Sequence, residues 1–251
     1  MKRFAQVGLL VLGGLGLLHT SLFTDEYLRF VKEGMRPLLI ASGVLLIGLG
    51  VAEAWASPSK EVHEEHEEHE EHGHDHDHGH DHSGVPRVAW LLFLPVLSLL
   101  FYAPPALGSY TASREPAKAV AVQEDDFDPL PATSPLPITL TEFTQRVQQD
   151  RSRAIQGRTV RMTGFVTPAD GDSWYLTRII INCCAADSTT LKVRVYGVAA
   201  PKVDTWVTVE GAWHEGGVLG TSSAAAAVDA RSVLKVRKPT NSYMDALPLT
   251  A

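Results

Sequence analysis

Three long apolar stretches restrict the folds that this chain can adopt. They cover residues 4–23, 37–55 and 88–107; Glu53 is the only charged residue in the three. Each stretch is close to the roughly 20 residues that an α-helix needs to cross a bilayer. The sequence therefore predicts a membrane α-helical amino-terminal region with three spans, two of them within residues 1–56.

The first stretch follows Lys2 and Arg3, a start that both signal anchors and cleaved signal peptides share. Its apolar core is long and no small-x-small cleavage site follows closely, which favours an uncleaved anchor. Lysine and arginine are almost evenly divided between the two sides of the predicted spans. The Lys2-Arg3 start favours a cytoplasmic amino terminus, and three spans would then place the carboxy-terminal domain outside.

Residues 57–87 form an acidic, histidine-rich loop between the second and third stretches. From Glu61 to His82, nine of twenty-two residues are histidine and ten are acidic, and without these ten acids the formal net charge would change from −7 to +3. Neutral imidazole is a common ligand of zinc, nickel and copper. We expect weak, exchangeable binding of Zn²⁺ or another divalent transition metal; the alternative is a solvated spacer. The histidines are His63, His66, His69, His72, His74, His76, His78, His80 and His82.

The sequence after the third stretch has a different character. Residues 108–137 are rich in Pro, Ala and acids and predict a linker; residues 138–240 predict a small mainly-β domain, and 241–251 a tail. A short helix is expected at 141–150, with Thr139 or Thr141 as its cap. Five strands and one helix predict a five-stranded OB-like barrel, with Gly164 permitting tight curvature. The predicted strands are 159–167, 174–184, 191–198, 205–214 and 233–237.

Basic residues of this domain alternate with apolar positions, a pattern typical of an outward-facing strand surface. Stacking aromatic residues are few, so we expect no nucleic-acid partner. The chain also lacks the nucleophile-elbow, P-loop, Rossmann, H-E-x-x-H and C-x-x-C motifs, and the sequence indicates no enzyme class. The basic residues are Arg158, Arg161, Arg178, Lys192 and Arg194.

The two cysteines of the chain, Cys183 and Cys184, are adjacent. Neighbouring Cα atoms lie ~3.8 Å apart, below the ~4.4–6.8 Å of ordinary disulfides, which leaves only a strained, easily reduced bond. Within a regular strand the two side chains would point to opposite faces. At the end of a strand both sulfurs could turn to one side and, with Asp187 or His214, bind a soft or borderline metal. The alternative is that both are small apolar residues of a barrel core.

The whole layout resembles the bacterial YcgQ-like, or DUF1980, family, which is described as a family of permease subunits. The resemblance rests on the apolar stretches, the histidine-rich loop and three sequence runs. It implies that Cys183, Cys184 and Asp187 form a functional feature, and that the protein works in the bacterial cell membrane beside a separate polytopic permease of the DUF318 type. The runs are TGFV at 163–166, LTRIIINCCAAD at 176–187 and DTWVTVEG at 204–211.

Together these observations predict an accessory subunit of a membrane permease complex that handles a divalent transition metal, zinc foremost. The alternative is a membrane-anchored metal sensor or thiol-redox sensor that uses the adjacent cysteines. A third hypothesis, an inert membrane-tethered scaffold, predicts that neither the histidines nor the cysteines contribute to function.

Overall fold

The computed structural model describes residues 2–56, 106–117, 120–123 and 127–247. The predicted histidine-rich loop at 57–87, with its nine histidines, and nearly all of the predicted third span at 88–107 lie outside these residues. Residue contacts divide the chain into two units, one formed by Met1–Val51 with Leu107–Ala251 and the other by Ala52–Ala106.

The amino-terminal region contains two α-helices, α1 (Lys2–Leu22) and α2 (Arg36–Trp55). Within the described residues, one helical stretch, Glu33–Trp55, is long and apolar enough to cross a membrane by length and composition. The apolar helical part of α1, Gln6–Leu22, is shorter than the roughly 20 residues typical of a membrane-crossing helix. The three-span prediction is therefore wrong, and the described residues provide one candidate membrane helix near the amino terminus.

Glycines bring α1 and α2 into backbone contact. A Cβ atom added at Gly14 would lie 2.7 Å from the carbonyl oxygen of Gly43, and one at Gly43 would lie 3.0 Å from that of Gly14. A Cβ at Gly50 would lie 2.9 Å from a methyl group of Val11, so the two helices run antiparallel. Small residues permit this approach between helices. Gly8, Gly13, Gly16 and Gly48, in contrast, face open space.

Residues 24–35, called the connector below, join α1 to α2. The connector contains two 3-10 turns, Glu26–Arg29 and Glu33–Met35, and the second leads directly into α2. Its Tyr27 and Leu28 are buried. Arg36 at the start of α2 donates a hydrogen bond of 2.8 Å from Nε to the carbonyl oxygen of Ser21 near the end of α1, which ties the two ends of the connector together.

The described carboxy-terminal residues form two helices and six strands. The first helix is α3 (Ser109–Arg114) and the second is α4 (Leu140–Gln149). Thr139 caps α4 as expected, because its Oγ1 accepts a hydrogen bond of 3.0 Å from the Glu142 N–H. The strands are β1 (Leu136–Pro137), β2 (Thr159–Pro168), β3 (Trp174–Ile180), β4 (Thr189–Tyr196), β5 (Trp206–Trp213) and β6 (Ala227–Lys235).

The six strands form one mixed sheet in the order β1-β2-β3-β4-β6-β5, with an additional pairing between β2 and β5. The pairs β1/β2 and β4/β6 are parallel and the others antiparallel. This finding corrects the predicted five-stranded OB-like barrel to a six-stranded mixed sheet. The sequence pattern missed β1 because two residues are too few to show alternation. It also started β6 six residues late, because the first buried residues of that strand include a small alanine, Ala227.

The main core lies between the sheet and α4. Phe143 of α4 and Trp174 and Leu176 of β3 are almost fully buried there. The indole Nε1 of Trp174 donates to the carbonyl oxygen of Val198 over 3.0 Å, so burial leaves no unmet donor. Gly164 is required by close packing: a Cβ at this position would lie 2.7 Å from the carbonyl oxygen of Thr177.

Arg178 does not lie on an outward-facing surface as expected. Its side chain is fully buried; Nε donates to the Thr163 carbonyl oxygen at 3.0 Å, and Nη1 to that of Ser242 at 3.3 Å. Burial lowers the pKa of Arg178, while the Asp245 carboxylate, 3.8 Å from Nε, opposes this shift. Asp245 also accepts a hydrogen bond of 2.8 Å from the Thr141 N–H in the first turn of α4. The buried ion pair thus joins the sheet to the helix.

Candidate metal centre

The two cysteines lie in the loop between β3 and β4, residues 181–188, called the cysteine loop below. The predicted strand extended to Cys184, but β3 ends at Ile180. The Ile181 N–H turns away from the sheet and donates to the carbonyl oxygen of Tyr243 over 3.1 Å. Because the cysteines follow the end of the strand, strand geometry does not force their side chains to opposite faces.

The carboxylate of Asp187 organises the cysteine loop. Its Oδ1 accepts hydrogen bonds from three consecutive backbone N–H groups, at 3.2 Å from Asn182, 3.1 Å from Cys183 and 3.2 Å from Cys184. Successive N–H groups that converge in this way form a concave anion site, here filled by a side chain of the same loop. A hydrogen bond from the Cys183 side chain, together with these backbone donors, lowers the pKa of Asp187.

Asn182 closes the loop at its base. The side-chain Nδ2 donates to the Asp187 carbonyl oxygen at 3.0 Å and to the Thr189 Oγ1 at 3.1 Å. These bonds tie the start of the loop to the first residue of β4. The loop conformation is therefore set by its own polar groups, and the Cys184 side chain takes part by accepting a hydrogen bond from the Asp187 N–H.

Cys183, Cys184 and Asp187 come together as the sequence predicted. Their ligand atoms, two Sγ atoms and a carboxylate oxygen, all lie within 4.8 Å of one another. Zinc–sulfur bonds of about 2.3 Å in tetrahedral geometry require sulfurs about 3.7 Å apart, a separation that lies within this limit. Neither cysteine is in a disulfide; Cys183 is exposed and Cys184 partly exposed. Thiolates and one carboxylate suit a soft or borderline divalent ion.

The thiol of Cys183 is held in its protonated form. The hydrogen bond to Asp187, and next to it the contact with Cys184, raises the pKa of Cys183 to about 11. A thiol must lose its proton to bind a metal, so metal binding at this site would release a proton and would strengthen as the pH rises.

The connector pairs with the cysteine loop through its backbone. The Lys32 N–H donates to the Cys183 carbonyl oxygen at 3.1 Å, and the Ala185 N–H donates to the Phe30 carbonyl oxygen at 2.7 Å. Val31 and Cys184 form an antiparallel β-bridge between these two bonds. Sequence reasoning missed these residues, because backbone pairing between positions so far apart in the chain leaves no local signal.

His214, the other described residue predicted to join the cysteines, does not join this cluster. His214 lies at the end of β5, where its Nδ1 is 2.7 Å from Asp229 Oδ1 and its ring stacks on Tyr196 with centroids 4.2 Å apart. Among the described residues, the group of ligand atoms close enough to hold one ion consists of Cys183, Cys184 and Asp187.

Two family models match this chain. Residues 7–117 match the DUF1980 N-terminal domain, and residues 138–244 match the DUF1980 C-terminal domain. No curated protein and no solved structure matches the chain. The second match contains the cysteine loop with all three candidate ligands, and the first contains the connector.

Proposed function

Since the chain belongs to the DUF1980 family, we propose that it is an accessory subunit of a membrane permease complex and handles a divalent transition metal, zinc, through Cys183, Cys184 and Asp187. The observation that carries the proposal is the convergence of two thiols and a carboxylate within 4.8 Å on a loop fixed by backbone hydrogen bonds. The permease and transport parts of the proposal rest on the family resemblance.

The residues of the cysteine loop have different roles in metal binding. Asp187 Oδ1 stays engaged with three backbone N–H groups, while Oδ2 accepts from the Cys183 N–H at 2.9 Å and keeps a lone pair for another partner. Loss of the Cys183 thiol proton frees both a sulfur and an oxygen. A bound zinc ion would bring four-coordinate chemistry, so three protein ligands leave one position open for exchange.

A permease partner is part of the proposal. The candidate membrane helix Glu33–Trp55 contains few polar groups, and a helix of this kind does not form a conducting path by itself. We propose that it anchors the chain in the bacterial cell membrane beside a polytopic permease of the DUF318 type. The proposal assigns the chain no enzymatic activity.

The thiol-redox sensor is the second candidate, because both cysteines are free and Cys183 is exposed. Redox reactivity requires a thiolate, and reactive cysteines usually have a lowered pKa. The pKa of Cys183 is raised to about 11, which disfavours this chemistry at neutral pH.

Cobalt titration of the full-length chain in detergent micelles tests the metal site. Thiolate ligands give Co²⁺ a charge-transfer absorption that histidine ligands do not, so the signal distinguishes the cysteine loop from the histidine-rich loop. We expect this absorption to appear in the wild type and to disappear in Cys183→Ser/Cys184→Ser. It should persist when the nine histidines from His63 to His82 are replaced by Gln. A wild-type chain that binds cobalt without a thiolate band would contradict the proposed site.

Affinity purification of the intact chain from its native membrane tests the permease role. We expect a polytopic membrane protein to co-purify, and zinc to be present in the same sample at a level that falls in Cys183→Ser/Cys184→Ser. Recovery of thioredoxin-like proteins, with neither a permease nor zinc, would overturn the proposal in favour of the redox sensor.

A further inference from the structure

We propose that the connector is part of the metal centre: its residues 30–32 position the cysteine loop for metal binding, and occupancy of the site in turn fixes the connector at the start of α2. This inference rests on the proposed metal function and adds a positioning element and a direction of coupling to it. The observation behind it is the strand-like pairing between the connector and the cysteine loop.

The pairing holds the peptide groups on both sides of Cys184. On one side, the Cys183 carbonyl oxygen accepts from the Lys32 N–H; on the other, the Ala185 N–H donates to the Phe30 carbonyl oxygen. The directions of the two Cα–Cβ bonds depend on these peptide planes. The separation of the two sulfur atoms therefore depends on the connector.

The connector is also fixed on its far side. Glu33 Oε2 accepts a hydrogen bond of 3.0 Å from Nδ2 of Asn241, and Tyr27 and Leu28 are buried. The 3-10 turn Glu33–Met35 then passes directly into α2 without a flexible residue between them. A displacement of residues 30–32 would reach the candidate membrane helix within one turn.

A cavity of about 350 Å³ leaves room for such a displacement. Val31, Lys32 and Glu33 line it from the connector, and Asn182 from the cysteine loop. Since the two segments meet through two backbone hydrogen bonds and a partly open cavity, their pairing can tighten or loosen without disturbing the core of the sheet. Binding linkage then makes the effect reciprocal: a connector that favours the binding geometry is itself stabilised by the ion.

Two proline variants remove the pairing hydrogen bonds one at a time. Lys32 has φ −63° and ψ 146°, which proline adopts without strain, so Lys32→Pro deletes only the N–H and the side chain. Ala185 is the first residue of a 3-10 turn and follows an extended Cys184, so Ala185→Pro also fits its backbone. The matched controls Lys32→Ala and Ala185→Ser keep the N–H groups.

The readout is the cobalt–thiolate absorption of the full-length chain in detergent micelles. Since one backbone hydrogen bond has a net effect worth about 2- to 12-fold in an equilibrium constant, we expect each proline variant to weaken cobalt binding within that range. The controls should bind like the wild type, and thermal unfolding of the sheet should be the same in all five proteins.

Hydrogen exchange provides a test that needs no substitution. In the wild type, we expect Co²⁺ to slow exchange at the amides of Lys32 and Ala185, and Cys183→Ser/Cys184→Ser to abolish this effect. A thiolate band of equal affinity in every variant, with connector exchange unchanged by cobalt, would overturn the inference and leave the metal site standing. Absence of the thiolate band from the wild type would overturn the metal function itself.

Discussion

Large apolar side chains are buried in the sheet but are largely exposed on the two amino-terminal helices. In the sheet, Leu176 and Val209 are fully buried within the chain's own fold. In the helices, Leu12 of α1 is 69% exposed and Leu45 of α2 is 62% exposed. Apolar surface on this scale needs another apolar phase, so the sheet domain is self-sufficient and the helices depend on lipid or on a partner.

Sequence hydrophobicity alone therefore does not define whether a segment packs within its own domain or against another apolar phase. Helix α2 is apolar on nearly all sides and meets α1 through glycines, whereas the strands meet α4 through large side chains. The stability of the sheet should therefore depend on substitutions in its core. The stability of the helices should depend on the surrounding lipid or detergent and on the backbone contact between α1 and α2.

The largest effect should come from the buried ion pair that completes the sheet domain. Arg178→Met leaves the buried Asp245 carboxylate without its guanidinium, and we expect a loss of about 3–5 kcal/mol in the free energy of unfolding. Arg161→Met removes an exposed pair with Glu210 and should cost no more than about 1 kcal/mol. Denaturant unfolding followed by tryptophan fluorescence measures both, and equal losses would show that the Arg178 pair is not buried.

The next effect compares the two environments of leucine directly. Leu176→Ala opens a cavity in the core and should destabilise the sheet by about 2–5 kcal/mol. Leu45→Ala changes an exposed side chain of α2 and should leave the sheet unfolding midpoint unchanged. If Leu45→Ala lowers that midpoint as much as Leu176→Ala does, the contrast between the sheet and the helices is wrong.

A smaller effect is expected at the contact between α1 and α2. Gly43→Leu forces a side chain against the carbonyl oxygen of Gly14, and we expect a cost of about 1–3 kcal/mol or separation of the helices. Gly48→Leu adds the same side chain in open space and is the control. Distances between spin labels on the two helices, measured in detergent micelles, should lengthen in the first variant alone.

The smallest effect concerns Cys183, which lies where the sheet meets the connector. Its raised pKa favours the thiol, so the thiolate should appear only as the pH rises from about 9 towards about 11. Asp187→Asn removes the charged acceptor and should increase the alkylation rate of Cys183 at neutral pH about tenfold, once the lower nucleophilicity of a less basic thiolate is included.

Asp170→Asn changes an exposed carboxylate of the same domain and should leave the rate of Cys183 unchanged. Mass spectrometry of the alkylated peptide measures both variants. A wild-type Cys183 that is fully reactive at neutral pH would contradict the hydrogen bond to Asp187.

Local signals in the sequence were sufficient for α4 and for the approximate positions of β2, β3, β4 and β5, whereas β6 was predicted to start six residues late. The Thr139 cap and the spacing of Phe143 and Val147 predict the helix, and β-rich runs divided by turn-forming sequence predict the strands. Grouping Cys183, Cys184 and Asp187 was also possible, because they lie within four positions of one another and a strand was expected to end nearby.

Long-range features could not be predicted in the same way. Arg178 was expected on an outward face, but its side chain is buried and donates hydrogen bonds to the backbone carbonyl groups of Thr163 and Ser242. No sequence pattern reveals such partners. The pairing of residues 30–32 with the cysteine loop depends on backbone groups, which every residue except proline offers equally. The span count was wrong because hydropathy does not fix helix length: among the described residues, Glu33–Trp55 is the one helical stretch long and apolar enough to cross a membrane.

Both ends of α4 are completed by residues far along the chain. Asp245 accepts from the amide of Thr141, 104 positions away, and the Gly220 N–H donates to the carbonyl oxygen of Val147 near the other end. A helix of ten residues is marginal by itself in water. A nascent chain that has emerged only as far as β5 would carry the sequence of α4 without either partner, and the helix should therefore take its final form late in folding. Circular dichroism of a 138–150 peptide should accordingly show little helix, and a strongly helical peptide would place α4 early instead.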